Sequence, residues 1–371
     1  MRSIKAVHIS TVHHSMDPRI RLKQLAFIAQ AGHEAVFVTG DQDARLLDDR
    51  VNIEVVPFAR GNRLARILLA GLLATLKARS LKADVYHLHD PELLLWAWLL
   101  AGRAGVIVYD VHEDYVTALG QKRYLSLAVR SLLGRIIGAL EDRLSRSTHR
   151  VIAEKYYAER FPDATPILNY PEVDLVSEES CFSASSRKVI YTGNVTIERG
   201  AENLARLVAE SSDYDVVVVG KCDQAVFDRM QELAGPGSSR LEVEGLERFV
   251  PFSAIQTRCQ SEKWLAGLAL FPDSDHYRKK ELTKFFEYMA IGIPLVISNF
   301  EPWQRFVRDY GVGICVDPTD MRAVTGALRW LKDHPGDAEE MGVRGRELVK
   351  NELNWQSEGR KLIDFYESRM G

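Results

Sequence analysis

Glu281-Leu282-Thr283-Lys284-Phe285-Phe286-Glu287-Tyr288-Met289-Ala290-Ile291-Gly292-Ile293-Pro294 carries a helical pattern that closes at a glycine and runs directly into a β-branched strand, Pro294–Ser298. Phe285, Phe286 and Met289 fall on an inward face, while Lys284 and Glu287, three apart, share another face close to the helix start. A cation and a carboxylate so placed suit a phosphate and a ribose diol bound side by side; they equally suit one surface ion pair. Preceded by the strand-like run Gly267–Phe271, the stretch reads as strand, helix, strand, the repeating unit of a parallel sheet.

The same rhythm extends outward. Val189–Thr192, Asp215–Val219, Leu241–Glu244 and Gly313–Val316 read as further strands of this half, with helices such as Glu202–Ser211 between them. The first half repeats it with Ala6–Ile9, Ala35–Thr39, Asn52–Pro57, Val85–His87, Val106–Tyr109, Arg150–Ala153 and Thr165–Leu168, and with a first helix over Leu22–Gly32. A serine-rich stretch separates the halves. The expected organisation is an α/β domain over 1–170, a linker over 171–188, a second α/β domain over 189–354, and a final amphipathic helix within 355–371. Two such doubly wound domains place a cleft where the C-terminal ends of both sets of strands face each other.

Composition narrows the function classes. The 371 residues are 46% hydrophobic and 27% charged, which fits two ordinary globular domains and excludes disorder. Four scattered cysteines form no C-x-x-C pair, so neither a disulfide framework nor a cysteine zinc site is expected. No apolar run approaches a membrane span, and the N-terminus enters a strand, so a cytoplasmic protein is expected. The net charge of −3 conceals an asymmetry: residues 1–170 sum to +5 and residues 171–371 to −8. The basic half is the one suited to an anionic surface.

Polar groups gather where strands end. His87-Leu88-His89-Asp90-Pro91-Glu92 and Tyr109-Asp110-Val111-His112-Glu113-Asp114 each follow a strand, at the sheet edge where α/β proteins bind ligands. Asp90-Pro91 also reads as a plain helix start. His112 among carboxylates suits a general acid or base, or a hydrogen-bonding group; metal ligation is a rival reading without a regular ligand spacing. His8, Ser10, His13, His14, Asp17 and Arg19 form a polar loop after the first strand, with no glycine before Gly32, which excludes a G-x-G-x-x-G dinucleotide fold. No G-x-x-x-x-G-K-[ST] loop occurs either. Thr192-Gly193-Asn194 followed by Glu198-Arg199-Gly200 at a helix start offers a diphosphate cradle or an ordinary turn.

Together, Phe285-Phe286-Glu287-Tyr288-Met289-Ala290-x-Gly292-x-Pro294, Thr192-Gly193 to Arg199-Gly200, His89-Asp90-Pro91-Glu92 and Asp110-Val111-His112-Glu113 resemble the retaining glycosyltransferases of family 4, which have the GT-B fold. The resemblance runs over nearly the whole chain. It implies a nucleotide-sugar donor on the C-terminal domain and a glycan or lipid-linked acceptor on the N-terminal one. It makes Glu287 the ligand of the ribose, Arg199 a cation on the diphosphate, and His112 the group touching the transferred sugar, so that His112, Arg199 and Glu287 are the expected catalytic set. Gly193, Asn194, Lys279, Lys280 and Lys284 join the expected donor site; His13, Asp17, His89, Asp90, Glu92 and Glu113 the acceptor site. The final helix resembles one that crosses back onto the first domain.

Three positions depart from the family pattern. Lys279 stands where the first glutamate of E-x7-E belongs, Asn194 where many members carry arginine, and His13-His14-Ser15-Met16-Asp17-Pro18 replaces a glycine-rich loop. The expected chemistry needs no cofactor and no divalent metal: Arg199, the lysines and backbone amides near Gly193 meet the leaving diphosphate. Two basic segments, 60–82 and 122–150, suit peripheral contact with anionic lipid at the inner face of a membrane. In the first, Arg63, Arg66 and Lys77 lie within an arc of ~60°; in the second, Arg135, Arg143, Arg146 and Arg150 lie within ~80° if one helix is continuous. Nucleic acid is not an expected partner. The rivals are a nucleotide-sugar epimerase of the same fold and a catalytically silent carbohydrate- or nucleotide-binding protein.

Overall fold

The computed structural model describes residues 3–41, 51–56, 69–101, 105–112 and 127–370. The chain forms two compact units, Met1–Asn169 with Trp355–Gly371, and Tyr170–Asn354.

In the first unit, β1 (Lys5–Ser10), β2 (Glu34–Thr39), β3 (Asn52–Val55), β4 (Val85–Leu88), β5 (Val106–Val111), β6 (His149–Ile152) and β7 (Thr165–Pro166) form one parallel sheet of order β3-β2-β1-β4-β5-β6-β7. Side chains alternate between two cores, as the strand period requires. Val7, Ile9, Tyr86 and Leu88 face the helix Gly71–Ser80. Ala6, Val85, Val108 and Val151 face the other layer, where Trp355, Leu362, Phe365 and Tyr366 of the final helix Trp355–Met370 are buried. Gly359 makes this packing possible, since a Cβ there would lie 2.6 Å from the Phe27 ring.

Two helices depart from expectation. The first starts at Pro18, four residues early, because Asp17 caps it: its carboxylate accepts from the amides of Arg19 and Ile20, both at 2.9 Å. Its opening turns, Pro18–Leu25, have π spacing and continue as an α-helix over Ala26–Gln30. The second basic segment is not one helix. The helix runs Leu127–Ser145 and ends before Arg146, whereas Arg150 lies on β6 and pairs with Asp163, so the four-arginine arc is broken.

In the second unit, β8 (Lys188–Thr192), β9 (Asp215–Cys222), β10 (Leu241–Leu246), β11 (Ala266–Ala269), β12 (Leu295–Ser298) and β13 (Gly313–Val316) form a parallel sheet of order β10-β9-β8-β11-β12-β13. Val216–Val219 are all buried, the continuous apolar run of a strand covered on both faces. The serine-rich stretch is tied down rather than loose: the amides of Ser177, Cys181 and Ser183 donate to the carbonyls of Ala290, Ile291 and Trp264. The quoted stretch forms the helix Thr283–Ala290, whose buried Phe285, Phe286 and Met289 face the core as their spacing predicts.

Candidate functional site

In the first unit, β1, β4 and β5 end side by side and bring five histidines and two aspartates together. Asp110 is the anchor. Its carboxylate is fully buried and accepts from Arg19 Nε (2.9 Å), Arg19 Nη2 (2.8 Å) and Gln24 Nε2 (2.9 Å). Burial pushes its carboxyl up, but the Arg19 guanidinium and His89 outweigh this and hold it well below the usual carboxylate range.

From Asp110 a chain of polar contacts runs in one direction. His89 Nδ1 lies 3.3 Å from Asp110 Oδ2 without hydrogen-bond alignment; the carboxylate's charge favours a proton on that nitrogen, which makes His89 Nε2 the acceptor from His8 Nδ1 at 2.9 Å. His8 Nε2 then accepts from the Tyr366 hydroxyl at 3.2 Å, whose oxygen accepts from His87 Nδ1 at 2.5 Å. Each neutral tautomer is thereby fixed. Burial, reinforced by neighbouring imidazoles, holds His8 and His87 well below the ordinary histidine range; burial drives His89 down to about 3.

His8, His87 and His89, and likewise His89, Asp110 and His112, have ligand atoms within 4.8 Å of one another. The His87 and His89 rings, however, are stacked 10° from parallel with centroids 4.7 Å apart. Their lone pairs lie in parallel planes and do not converge on one ion. Asp110 is already neutralised by Arg19. The arrangement suits a proton-wired cluster.

At the rim, His112 Nδ1 donates to the Asp110 carbonyl (3.1 Å), and its Nε2 meets His13 Nε2 at 3.1 Å. His13 Nδ1 lies 3.0 Å from Asp90 Oδ1. These contacts correct part of the expected acceptor site. His89 and Asp90 are fully buried and offer no surface to an acceptor. Asp90 instead gathers the loop after β1, accepting from Ser10 Oγ, the Thr11 amide and the Val12 amide. Asp17 is spent on its helix cap, and half-buried Glu92 accepts from Thr11 Oγ1 at 3.1 Å. His13 and His112 remain at the rim; Glu113 lies outside the described residues.

In the second unit, the ends of β8 and β11 and the helix Thr283–Ala290 assemble the expected donor residues. Gly193 follows β8 with φ of 92°, and a Cβ there would meet nothing within 4 Å, while its amide donates to the Val219 carbonyl at 2.9 Å. Gly200, with φ of 90°, opens the helix Ala201–Glu210; a Cβ would sit 2.2 Å from the Leu270 carbonyl. Arg199 is half-buried and donates from Nε to the Tyr277 hydroxyl at 3.0 Å. Half-buried Glu287 accepts from Thr192 Oγ1 at 3.4 Å, and the Thr192 amide donates to the Tyr288 hydroxyl at 2.9 Å. Glu287 also borders a small, mainly apolar groove with Leu175, Phe252, Ile255, Gln256 and Ile291.

Lys284 departs from both of its readings. Its ammonium is neither a solvent-facing partner for phosphate nor half of a surface ion pair: it is buried without a hydrogen-bond partner among the described residues, 3.5 Å from the Tyr191 ring centroid and 5.1 Å from that of Phe271. Burial first, then Arg199, push it well below the usual lysine range, with Glu287 opposing. Lys279 is exposed, and half-buried Lys280 places Nζ 3.3 Å from His276 Nε2. Asn194 is exposed and its carbonyl accepts from the Tyr191 hydroxyl at 2.8 Å. Sequence reasoning assigns nothing to Gln24, Tyr277 or Tyr366; the last reaches His87 from 279 residues along the chain, so no local motif could reveal it.

Residues 23–160 match the model of the family described as Glycosyltransferase Family 4. Over 282 residues the chain is 23% identical to the D-rhamnosyltransferase WbpZ of Pseudomonas aeruginosa, spanning 70% of this chain and 67% of that protein. Over 85 residues it is 32% identical to a GDP-mannose-dependent alpha-(1-6)-phosphatidylinositol monomannoside mannosyltransferase of Mycolicibacterium smegmatis, which covers 23% of this chain and 22% of that protein. Among solved structures, HepE of Anabaena in complex with UDP superposes with a TM-score of 0.74 at 11% identity, covering 98% of this chain and 100% of that one.

Two predictions follow from the wiring. The unfolded chain takes up protons on His8, His87 and His89 as pH falls below about 6.5, whereas the folded chain does not, so stability is full above that value and declines below it. Each histidine contributes about 1.4 kcal/mol per pH unit, or about 4 kcal/mol per unit for the three. Thermal melts between about pH 7 and 5 should show a steep fall, and a flat profile would contradict the neutral wiring. Tyr366→Phe strands His87 Nδ1 and His8 Nε2 in a buried site and should cost about 2–4 kcal/mol in urea unfolding of the first unit.

Proposed function

We propose, from the premise that this chain is a glycosyltransferase of the GT-B fold with a family 4 signature in its first domain, that it moves a hexose-type sugar from a nucleotide diphosphate sugar to a hydroxyl of a glycan or lipid-linked glycan, with retention. The observation that carries the donor side is the grouping of Glu287, the open Gly193 turn and Arg199 at one sheet edge of the second unit. A carboxylate beside a mainly apolar groove suits a ribose diol with its base alongside. Arg199 and the amides opening the helix Ala201–Glu210 suit a diphosphate. The complex of HepE with UDP supports a donor of this class.

In the proposed reaction the bond between the anomeric carbon and the diphosphate oxygen breaks, charge grows on the leaving oxygens, and Arg199 with Lys279 and Lys280 meets it. The acceptor hydroxyl forms the new bond from the face the diphosphate leaves, and its proton passes to a phosphate oxygen. No divalent metal is required. With both ring nitrogens of His112 occupied by Asp110 and His13, His112 acts by position, orienting the sugar, rather than by exchanging a proton.

The acceptor side rests on the first unit, and the helix Leu127–Ser145 supports a lipid-linked acceptor. Leu132, Ile136 and Leu140 form an exposed stripe at steps of four, with Arg135 and Arg143 exposed nearby. Of the other basic segment, Arg63 and Arg66 lie outside the described residues, and Lys77 pairs with Glu54 at 3.0 Å. Among the described residues no helix is long and apolar enough to cross a membrane.

A thermal-shift screen of UDP-, GDP-, ADP- and dTDP-sugars should identify a stabilising donor, with transfer then followed by mass spectrometry. Glu287→Ala should weaken nucleotide binding by about 10- to 100-fold, through loss of charged hydrogen bonds of about 1.5–3 kcal/mol. Donor conversion without any acceptor would favour an epimerase, and binding without conversion a silent binding protein. In flotation assays the protein should rise with phosphatidylglycerol vesicles at low salt and be released at high salt. Replacing Leu132, Ile136 and Leu140 together by serine should abolish flotation.

A further inference from the structure

Lys284 is the second residue of the helix Thr283–Ala290 and is 7% exposed. Its Nζ meets no hydrogen-bond acceptor among the described residues. A buried amine in that state lowers stability relative to an apolar side chain of the same length, since it gives up water and gains no hydrogen bond. The packing of the helix does not ask for nitrogen here, because the buried neighbours Phe285, Phe286 and Met289 are apolar. What the nitrogen adds is a contact with two aromatic faces, 3.5 Å from the Tyr191 centroid and 5.1 Å from that of Phe271. Both rings are buried, and they lie 34° from parallel.

Tyr191 is more than a floor for this amine. It stands one residue before the end of β8, and its hydroxyl donates to the Asn194 carbonyl at 2.8 Å, across the turn that follows the strand. Burial pushes the phenol up, so the hydroxyl stays protonated and remains a donor. The neighbouring strand β9 holds the two sides of the same turn. The Gly193 amide donates to the Val219 carbonyl and the Val195 amide to the Lys221 carbonyl, both at 2.9 Å. Gly220 approaches so closely that a Cβ on it would lie 2.0 Å from the Gly193 carbonyl oxygen. Between these fixed points, the Asn194 carbonyl is held among the described residues by the Tyr191 hydroxyl alone.

A tyrosine ring held on one face by an amine cannot swing its hydroxyl off this carbonyl without giving up that contact. We infer that Lys284 is a positioning residue of the Gly193–Asn194 turn and acts through Tyr191: its amine holds the ring from one face, the hydroxyl is thereby aimed at the Asn194 carbonyl, and the turn keeps one shape before a ligand arrives. This accounts for a nitrogen in a site where a methionine of similar length would be more stable, a residue kept for function at a cost in stability. The use of a preset turn rests on the reading of this sheet edge as the site of the donor's diphosphate; the positioning itself does not.

Lys284→Met, Tyr191→Phe and the double variant of the full chain test this. Lys284→Met removes the amine and keeps the bulk, so its melting temperature should equal or exceed that of the wild type; a clear fall would make the amine a structural support and overturn the inference. Deuterium exchange without ligand, followed by mass spectrometry, should be faster over residues 189–200 in each single variant and no faster in the double. Unchanged exchange in Lys284→Met, or effects that add in the double variant, would show that Lys284 does not act through Tyr191. In calorimetry with UDP, GDP, ADP and dTDP, whichever nucleotide the wild type binds should bind about 5-fold or more weakly in each single variant, with no further loss in the double. Equal binding by Lys284→Met overturns the inference and leaves the donor reading standing. A wild-type chain that binds none of the four overturns the donor reading, and the exchange result then decides the positioning by itself.

Discussion

The two-pronged grip of Arg19 on the buried Asp110 carboxylate organises the first unit's functional edge. It joins the opening turns of the first helix to the end of β5 at 2.8 and 2.9 Å, and Gln24 adds a third donor from the same helix. Removing either charge would leave the other buried and unpaired, at a cost of about 3–5 kcal/mol. The π spacing of Pro18–Leu25 repeats roughly every five residues, which brings Arg19 and Gln24 onto one face toward Asp110. With Asp110 saturated and ionised, His89 has a fixed acceptor, and every tautomer from His89 to His87 follows from that single decision.

This hierarchy explains why the fold was readable from the sequence and the site only in part. Strand and helix periods are local, so each run from Ala6–Ile9 to Gly313–Val316 could be placed within a few residues, and the stretch around Glu287 announced its helix, glycine and strand in order. Residues at strand ends could also be nominated, because a parallel sheet always exposes that edge. What a strand end does not reveal is direction. His89 and Asp90 follow β4 as a ligand site would, yet both turn inward, because Asp110 and the loop after β1 need buried partners more than the edge needs exposed ones.

Long-range partners were beyond local reading for the same reason. Tyr366 enters the histidine chain from the final helix, whose amphipathic pattern reports only that one face is buried, not that a hydroxyl on that face meets His8 and His87. Lys284 shows the converse. Its spacing from Glu287 is that of a surface pair, but the aromatic rings of Tyr191 and Phe271 close over it, and a cation that looked available is withdrawn from solvent.

That withdrawal sharpens the charge asymmetry of the chain. Residues 171–371 sum to −8, so the proposed diphosphate would meet an adverse background field there, and each solvent-reaching cation would count for more than in a neutral domain. With Lys284 buried and Asn194 uncharged, the proposed donor site would rely on Arg199 and on Lys279 and Lys280 for that work. Arg199 is held by Tyr277, whose ring lies 5.7 Å from its guanidinium carbon, so its charge is set in place before a ligand arrives. A preset guanidinium needs little reorganisation when charge develops, which is how few cations suffice on an acidic domain.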